Sequence, residues 1–156
     1  MTTIILTIIG ILLAAAAALM VIFYGGDAFN SGSIGAQANT YQNAGTNVIS
    51  ALQLAKADAA VYTTVESLHD TTGTNPDADY LKELPSLPNG TVGALSASGG
   101  SQYVVTLTGA DAAKVCVRIN KNLKLTTAQI DSAKAAPVTT LKMGCSTDVT
   151  KFFANA

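Results

Sequence analysis

The sequence predicts an α+β fold: a long N-terminal helix, an apolar stem continuing into an amphipathic half, packed on a small, mainly antiparallel sheet and closed by one disulfide. Three observations carry that expectation. Thr2 to Tyr24 holds no charge and no proline. From Tyr41 onward, apolar residues recur at spacings of three and four. The only two cysteines, Cys116 and Cys145, lie among short strand and turn signals in the C-terminal part.

The stem comes first. Ile4 to Tyr24 is 21 residues, and at about 1.5 Å per residue such a helix spans about 30 Å, the hydrocarbon thickness of a bilayer. A core helix is a competing reading, but one with no charge before Asp27 is rare in so small a protein. A secretory signal peptide starts with a cationic region and has a shorter apolar stretch; here the first Lys or Arg is Lys56. An uncleaved anchor would put the lysine-bearing body in the cytoplasm by the positive-inside rule. A body with two cysteines and many Gly, Ser and Asn turns reads as exported. Both conflicts vanish if a short cationic leader precedes Met1 and is removed.

The predicted organisation is a stem helix over 1–26, a Gly-rich hinge over 27–35 and an α+β head over 36–156. Gly25-Gly26 and "DAFNSGSIG" interrupt the apolar run, each glycine costing a helix about 0.8–1 kcal/mol relative to Ala. The stem is expected to end, kink or unwind there, or else to run on as one bent rod. Tyr41, Ala44, Val48, Leu52, Ala55, Ala59, Tyr62 and Val65 then predict an amphipathic helix from about Ala36 to Leu68.

"HDTTGTNPDADY" is loop by its Gly, Pro, Asn and Asp content. "LPSLPNGTVGAL" reads as a turn into a strand near Thr91–Leu95, and "SASGGS" as a second turn. Strands are expected over Gln102–Gly109 and Val149–Ala154. Helices are expected over "ADAAKVCVRINKNL", with Asp111 as N-cap, and over "TTAQIDSAKAA", ending before Pro137. In an exported chain two cysteines predict a single disulfide, Cys116–Cys145.

Composition excludes several classes. The net charge is −1 and the sequence shows no basic cluster, so no nucleic-acid binding is expected. With one histidine and no phosphate-cradling loop, the reading is not an enzyme, with no cofactor and no metal. Ser67, His69 and Asp70 crowd within four residues, whereas triad members converge from separate segments, so a polar helix end is the simpler reading. Asn75, Asp77 and Asp79 have the alternating spacing of a calcium loop but lack its glycine and distal glutamate, which favours a solvated loop. Asn89-Gly-Thr matches a glycosylation sequon, and the turn explains it equally well.

Taken together, "MTTIILTIIGILLAAAAALMVIFY", a second helix continuing it, an α+β head and the cysteine segments "AAKVCVRI" and "GCSTDVTKFF" resemble a type IV pilin. The similarity is closest to the type IVb branch that includes conjugative thin-pilus pilins. The resemblance covers the whole chain. It implies cleavage of a cationic leader by a prepilin peptidase, with N-methylation at Met1. It implies assembly machinery, residence in the inner membrane beforehand, and a homopolymer of identical subunits as a pilus on the bacterial cell surface. It places Ile4, Ile5, Ile8, Ile9, Leu12, Leu13, Ala16, Leu19, Met20 and Phe23 in the filament core. One departure stands out: pilins usually carry glutamate at the fifth mature position, where this chain has Ile5. A secretion pseudopilin and a singly anchored periplasmic binding protein are the alternatives.

Overall fold

The computed structural model describes residues 2–60, 62–69, 79–96 and 101–156. The fold is α+β: helix α1 (Thr2–Ala57), then strands β1 (Ala94–Ser96) and β2 (Gln102–Thr106), helices α2 (Ala112–Asn122) and α3 (Thr127–Ala133), and strands β3 (Met143–Ser146) and β4 (Lys151–Asn155). Contacts divide the chain into two compact units, Met1–Ile34 and Gly35–Ala156. The first consists of the N-terminal part of α1. The second holds the rest of α1 and the sheet.

The segment 27–35 is helical throughout. Backbone hydrogen bonds need no side chain, so glycines lower helix stability without breaking the ladder. The helix stops at Ala57, short of the Leu68 expected from periodicity. Ala59 adopts a left-handed conformation (φ 57°). Its amide donates to the Lys56 carbonyl at 3.1 Å, and the Ala60 amide donates to the Ala55 carbonyl at 2.9 Å. This paired pattern is the Schellman stop, built here on alanine instead of the usual glycine. Ala59→Gly is therefore expected to raise head stability by roughly 0.5–1 kcal/mol, because glycine removes the Cβ clash of that conformation. A denaturant midpoint that falls instead would contradict this account of the stop. Beyond it, Val65 and Leu68 are still buried, but from a separate 3-10 turn, Glu66–Leu68, and the residue that caps it. Their apolar character had continued the helical pattern in sequence.

The sheet runs β1-β2-β4-β3, all antiparallel. The first strand begins at Ala94, later than the expected Thr91, because Gly93 (φ 86°) is not in the extended conformation a strand requires. A Cβ at Gly93 would lie 2.5 Å from the Tyr103 ring, and the Tyr103 hydroxyl donates to the Val92 carbonyl at 2.8 Å. The strand expected over 102–109 ends at Thr106, and the last strand starts at Lys151, after Thr150 turns with φ 47°. Strand β3 was not anticipated.

One sheet face packs on α1. Val105, Phe152 and Cys145 pair across the strands, as do Tyr103, Ala154 and Met143. From α1, Ala38, Tyr41, Ala44, Val48, Ala51, Leu52 and Ala55 are buried. The approach is close at Gly45, where a Cβ would lie 2.7 Å from Phe152 Cζ and 3.3 Å from Ala154 Cβ. Phe152 is fully buried and its ring sits 6.2 Å from that of Tyr41 and 6.4 Å from that of Tyr103, so it has little room to yield. Gly45→Val is expected to destabilise the head by roughly 1–3 kcal/mol through overpacking. Urea unfolding of the purified subunit reads it, and an unchanged midpoint would contradict this packing. Burial raises the Tyr103 phenol above its usual range, with a smaller contribution from Tyr41, so the hydroxyl stays a donor to Val92.

Candidate functional site: an uncovered apolar helix

Thr3–Ile22 of α1 is long and apolar enough to cross a membrane, with a mean hydropathy of 2.9, and none of it is buried. Consecutive residues on a helix point about 100° apart. Ile4, Ile5 and Leu6 are 66%, 57% and 66% exposed, so the apolar surface surrounds the helix. An amphipathic surface helix would show one stripe only. The Thr7 hydroxyl donates to the Thr3 carbonyl at 2.8 Å, which satisfies a polar group without water. Ala14 to Ala18 and Gly10 keep the middle slim, and beyond its own helix backbone and immediate neighbours a Cβ placed at Gly10 would meet nothing within 4 Å.

Of the residues expected in a filament core, Ile4, Ile5, Ile8, Ile9, Leu12, Leu13, Ala16, Leu19 and Met20 are all exposed on this helix. Met1 and the side chain of Phe23 lie outside what is described. Leu6, Ile11, Val21 and Ile22 are equally exposed. They were not singled out in sequence, although the absence of any polar face already argued for them.

In the head, Cys116 and Cys145 form the disulfide, with Cα atoms 5.3 Å apart. Both residues are fully buried. Beside them, the buried Asn120 accepts from the Cys145 amide at 2.8 Å and donates to the Cys145 carbonyl at 2.9 Å. One side chain thereby completes both backbone groups of that residue and holds β3 against α2. Asp111 occupies the N-cap position of α2, but its side chain makes no cap bond; it pairs with Lys114 at 2.9 Å. Thr126 and Gln129 form a reciprocal capping box on α3.

The polar candidates are otherwise engaged. The Ser67 hydroxyl donates to the Thr64 carbonyl at 2.7 Å. His69 Nδ1 is 2.8 Å from the Leu81 carbonyl and 3.7 Å from Asp79. Asp70, Asn75 and Asp77 lie outside the described residues, as do most of the 69–80 loop and the "SASGGS" turn. Among the described residues no group of three or more His, Cys, Asp or Glu is placed to hold a metal. Asn89 donates to the Thr106 carbonyl at 2.8 Å and accepts from Thr91, so its amide serves the turn.

Helix α2 gathers charge that the linear sequence disperses. Lys114, Arg118 and Lys121 are exposed along it, and Lys124 follows just past its end. The i, i+4, i+7 spacing was the available signal.

Comparison with family models, with curated proteins and with solved structures returned no match.

Proposed function

We propose that this chain is the structural subunit of an extracellular filament of the type IV pilus kind, held in the inner membrane before assembly and polymerising through the N-terminal part of α1. The observation that carries the reading is the uncovered apolar surface of Thr3–Ile22 in a chain whose second unit, Gly35–Ala156, has a core of its own. Exposed apolar surface of that extent needs a cover. Lipid supplies one before assembly; identical stems supply it afterwards. The slim segment Ala14–Ala18 favours stems as the second cover, since small residues let helices approach closely. The resemblance of the chain to pilins supports the same reading and adds leader removal by a prepilin peptidase and N-methylation at Met1.

The head supports a building-block role over a binding one. Two hollows among its described residues, each about 430 Å³, are open grooves along α1 lined by mixed residues such as Thr46, Gln53 and Lys142 in one and Asn47, Lys82 and Glu83 in the other. A small-molecule site is usually an enclosed, mostly apolar pocket with a few convergent polar groups.

Deleting the gene tests the proposal. Cells that express it are expected to carry filaments that are lost on deletion and composed of this subunit. A subunit found only as single anchored copies in the membrane would overturn the reading.

A further inference from the structure

Two groups of exposed charge in the head lie at different places along α1, with Lys142 beside the 46–53 stretch between them. At one end, the Arg118 guanidinium lies beside Gly35, 3.9 Å from where a Cβ would stand. Asn122 bonds Asn39 at 3.3 Å, and Gln42 bonds the Ile119 carbonyl at 3.4 Å. Helix α2 therefore lies against the 35–42 stretch. From Asp111 to Leu125 the chain has four bases, Lys114, Arg118, Lys121 and Lys124, against Asp111.

The other end is acidic. The Tyr80 hydroxyl donates to Asp58 at 2.8 Å, the rings of Tyr62 and Tyr80 meet at 5.7 Å, and Leu81 bonds the Leu68 carbonyl at 3.0 Å. Residues 80–83 line a groove with Asn47, Ser50, Ala51 and Leu54. This gathers Asp58, Glu66, Asp79 and Glu83 around the C-terminal end of α1, all exposed. Over residues 56–83 the sequence has six acids against Lys56 and Lys82. Among the described residues the only pair of a lysine or arginine with a carboxylate is Lys114–Asp111, and the His69 ring lies 3.7 Å from Asp79. Arg118, Lys121, Glu66 and Glu83 are not spent on each other. From Asn39 to Asp58 the helix rises about 28 Å.

Resting on the filament reading, we propose that the heads join head to tail electrostatically. The α2 face of one subunit (Arg118, Lys121, Lys124) docks on the acidic end (Asp58, Glu66, Glu83) of a second copy displaced along the head portion of α1. Copies in an open helical polymer meet through two different surfaces, and that contact repeats without closing. A displacement of about 28 Å along α1 sets the positive pole of one copy on the negative pole of the next. Copies lying level with one another would set like charges together, so the same charges favour the displaced register. Apolar stems hold the polymer together; the poles set its register and make its cohesion depend on salt.

The test uses native filaments of the full chain. Carbodiimide cross-linking followed by mass spectrometry is expected to join Lys121 or Lys124 to Glu66, Glu83 or Asp58 of another copy, assigned with mixed isotope labels. A Glu variant pair, Arg118→Glu with Lys121→Glu, is expected to release several-fold more subunit from filaments on mild heating. The pair Glu66→Lys with Glu83→Lys is expected to do the same. Combining all four substitutions is expected to restore wild-type release, which no merely misfolded head would do. Raising salt from about 0.15 M to about 1 M, which shortens the screening length from about 8 Å to about 3 Å, is expected to loosen wild-type filaments. Cross-links confined within one subunit, or four-fold variants no better than the pairs, would overturn the proposal. So would pairs that lose binding to double-stranded DNA while keeping wild-type cohesion. Absence of wild-type filaments would instead overturn the filament reading on which it rests.

Discussion

Ala16→Lys is expected to abolish filaments while leaving the head folded. Residue 16 lies within the uncharged stretch Thr3–Ile22, none of which is buried. A lysine near the middle of an apolar span costs about 2.5–3.5 kcal/mol on insertion scales. In a bundle of identical stems the cost recurs in every copy, with no aqueous escape for the ammonium and no acid to pair with, since the first carboxylate in the chain is Asp27. Ala16→Ser keeps the side chain small and can bond to the helix's own backbone as Thr7 does, so it is expected to assemble. Sheared-filament yield, compared with membrane-bound subunit on the same blot, measures the effect. Normal filament yield from Ala16→Lys would contradict a stem-cored polymer.

The second large effect is expected from removing the disulfide. The 29-residue separation of Cys116 and Cys145 corresponds to about 3–4 kcal/mol in the chain-entropy model. That is a large fraction of the roughly 5–15 kcal/mol that stabilises a typical domain. Replacing both cysteines with Ser also buries hydroxyls where both residues have no exposure. The subunit in detergent is expected to melt roughly 10–20 °C lower, followed by near-UV circular dichroism. A shift of a degree or two would show that packing between α2 and β3, with Asn120, suffices without the bond. Intact mass with and without reductant confirms that the wild type starts oxidised.

Much of the fold was legible because its signals are one-dimensional. The absence of charge before Asp27 needs no tertiary context, and neither does the apolar spacing of Val115, Cys116 and Ile119 on α2. The cysteine pair followed from number alone. Strand β3 escaped because "MGCS" has no β-branched or aromatic residue. Its place comes from its partner: Gly144 leaves room for the Phe153 ring, whose Cζ would sit 2.8 Å from a Cβ there. The end of α1 escaped because its stop uses Ala59, which carries no helix-ending signal, while Tyr62 and Val65 carried the apolar spacing onward. The uncovered stem was legible as composition; which of its sides meets which neighbour is a property of the assembly. The acidic end of the head was hidden because Asp58, Glu66, Asp79 and Glu83 are spread over 26 residues and only the fold gathers these four near one end of α1.

Helical reconstruction of the purified native assembly tests the central claim most directly. The account predicts a filament whose axis is a bundle of apolar helices containing Ile4 to Ile22 of every copy, with the disulfide-bonded heads outside. A filament whose core is made by the heads, with the apolar helices in lipid or detergent, would contradict it.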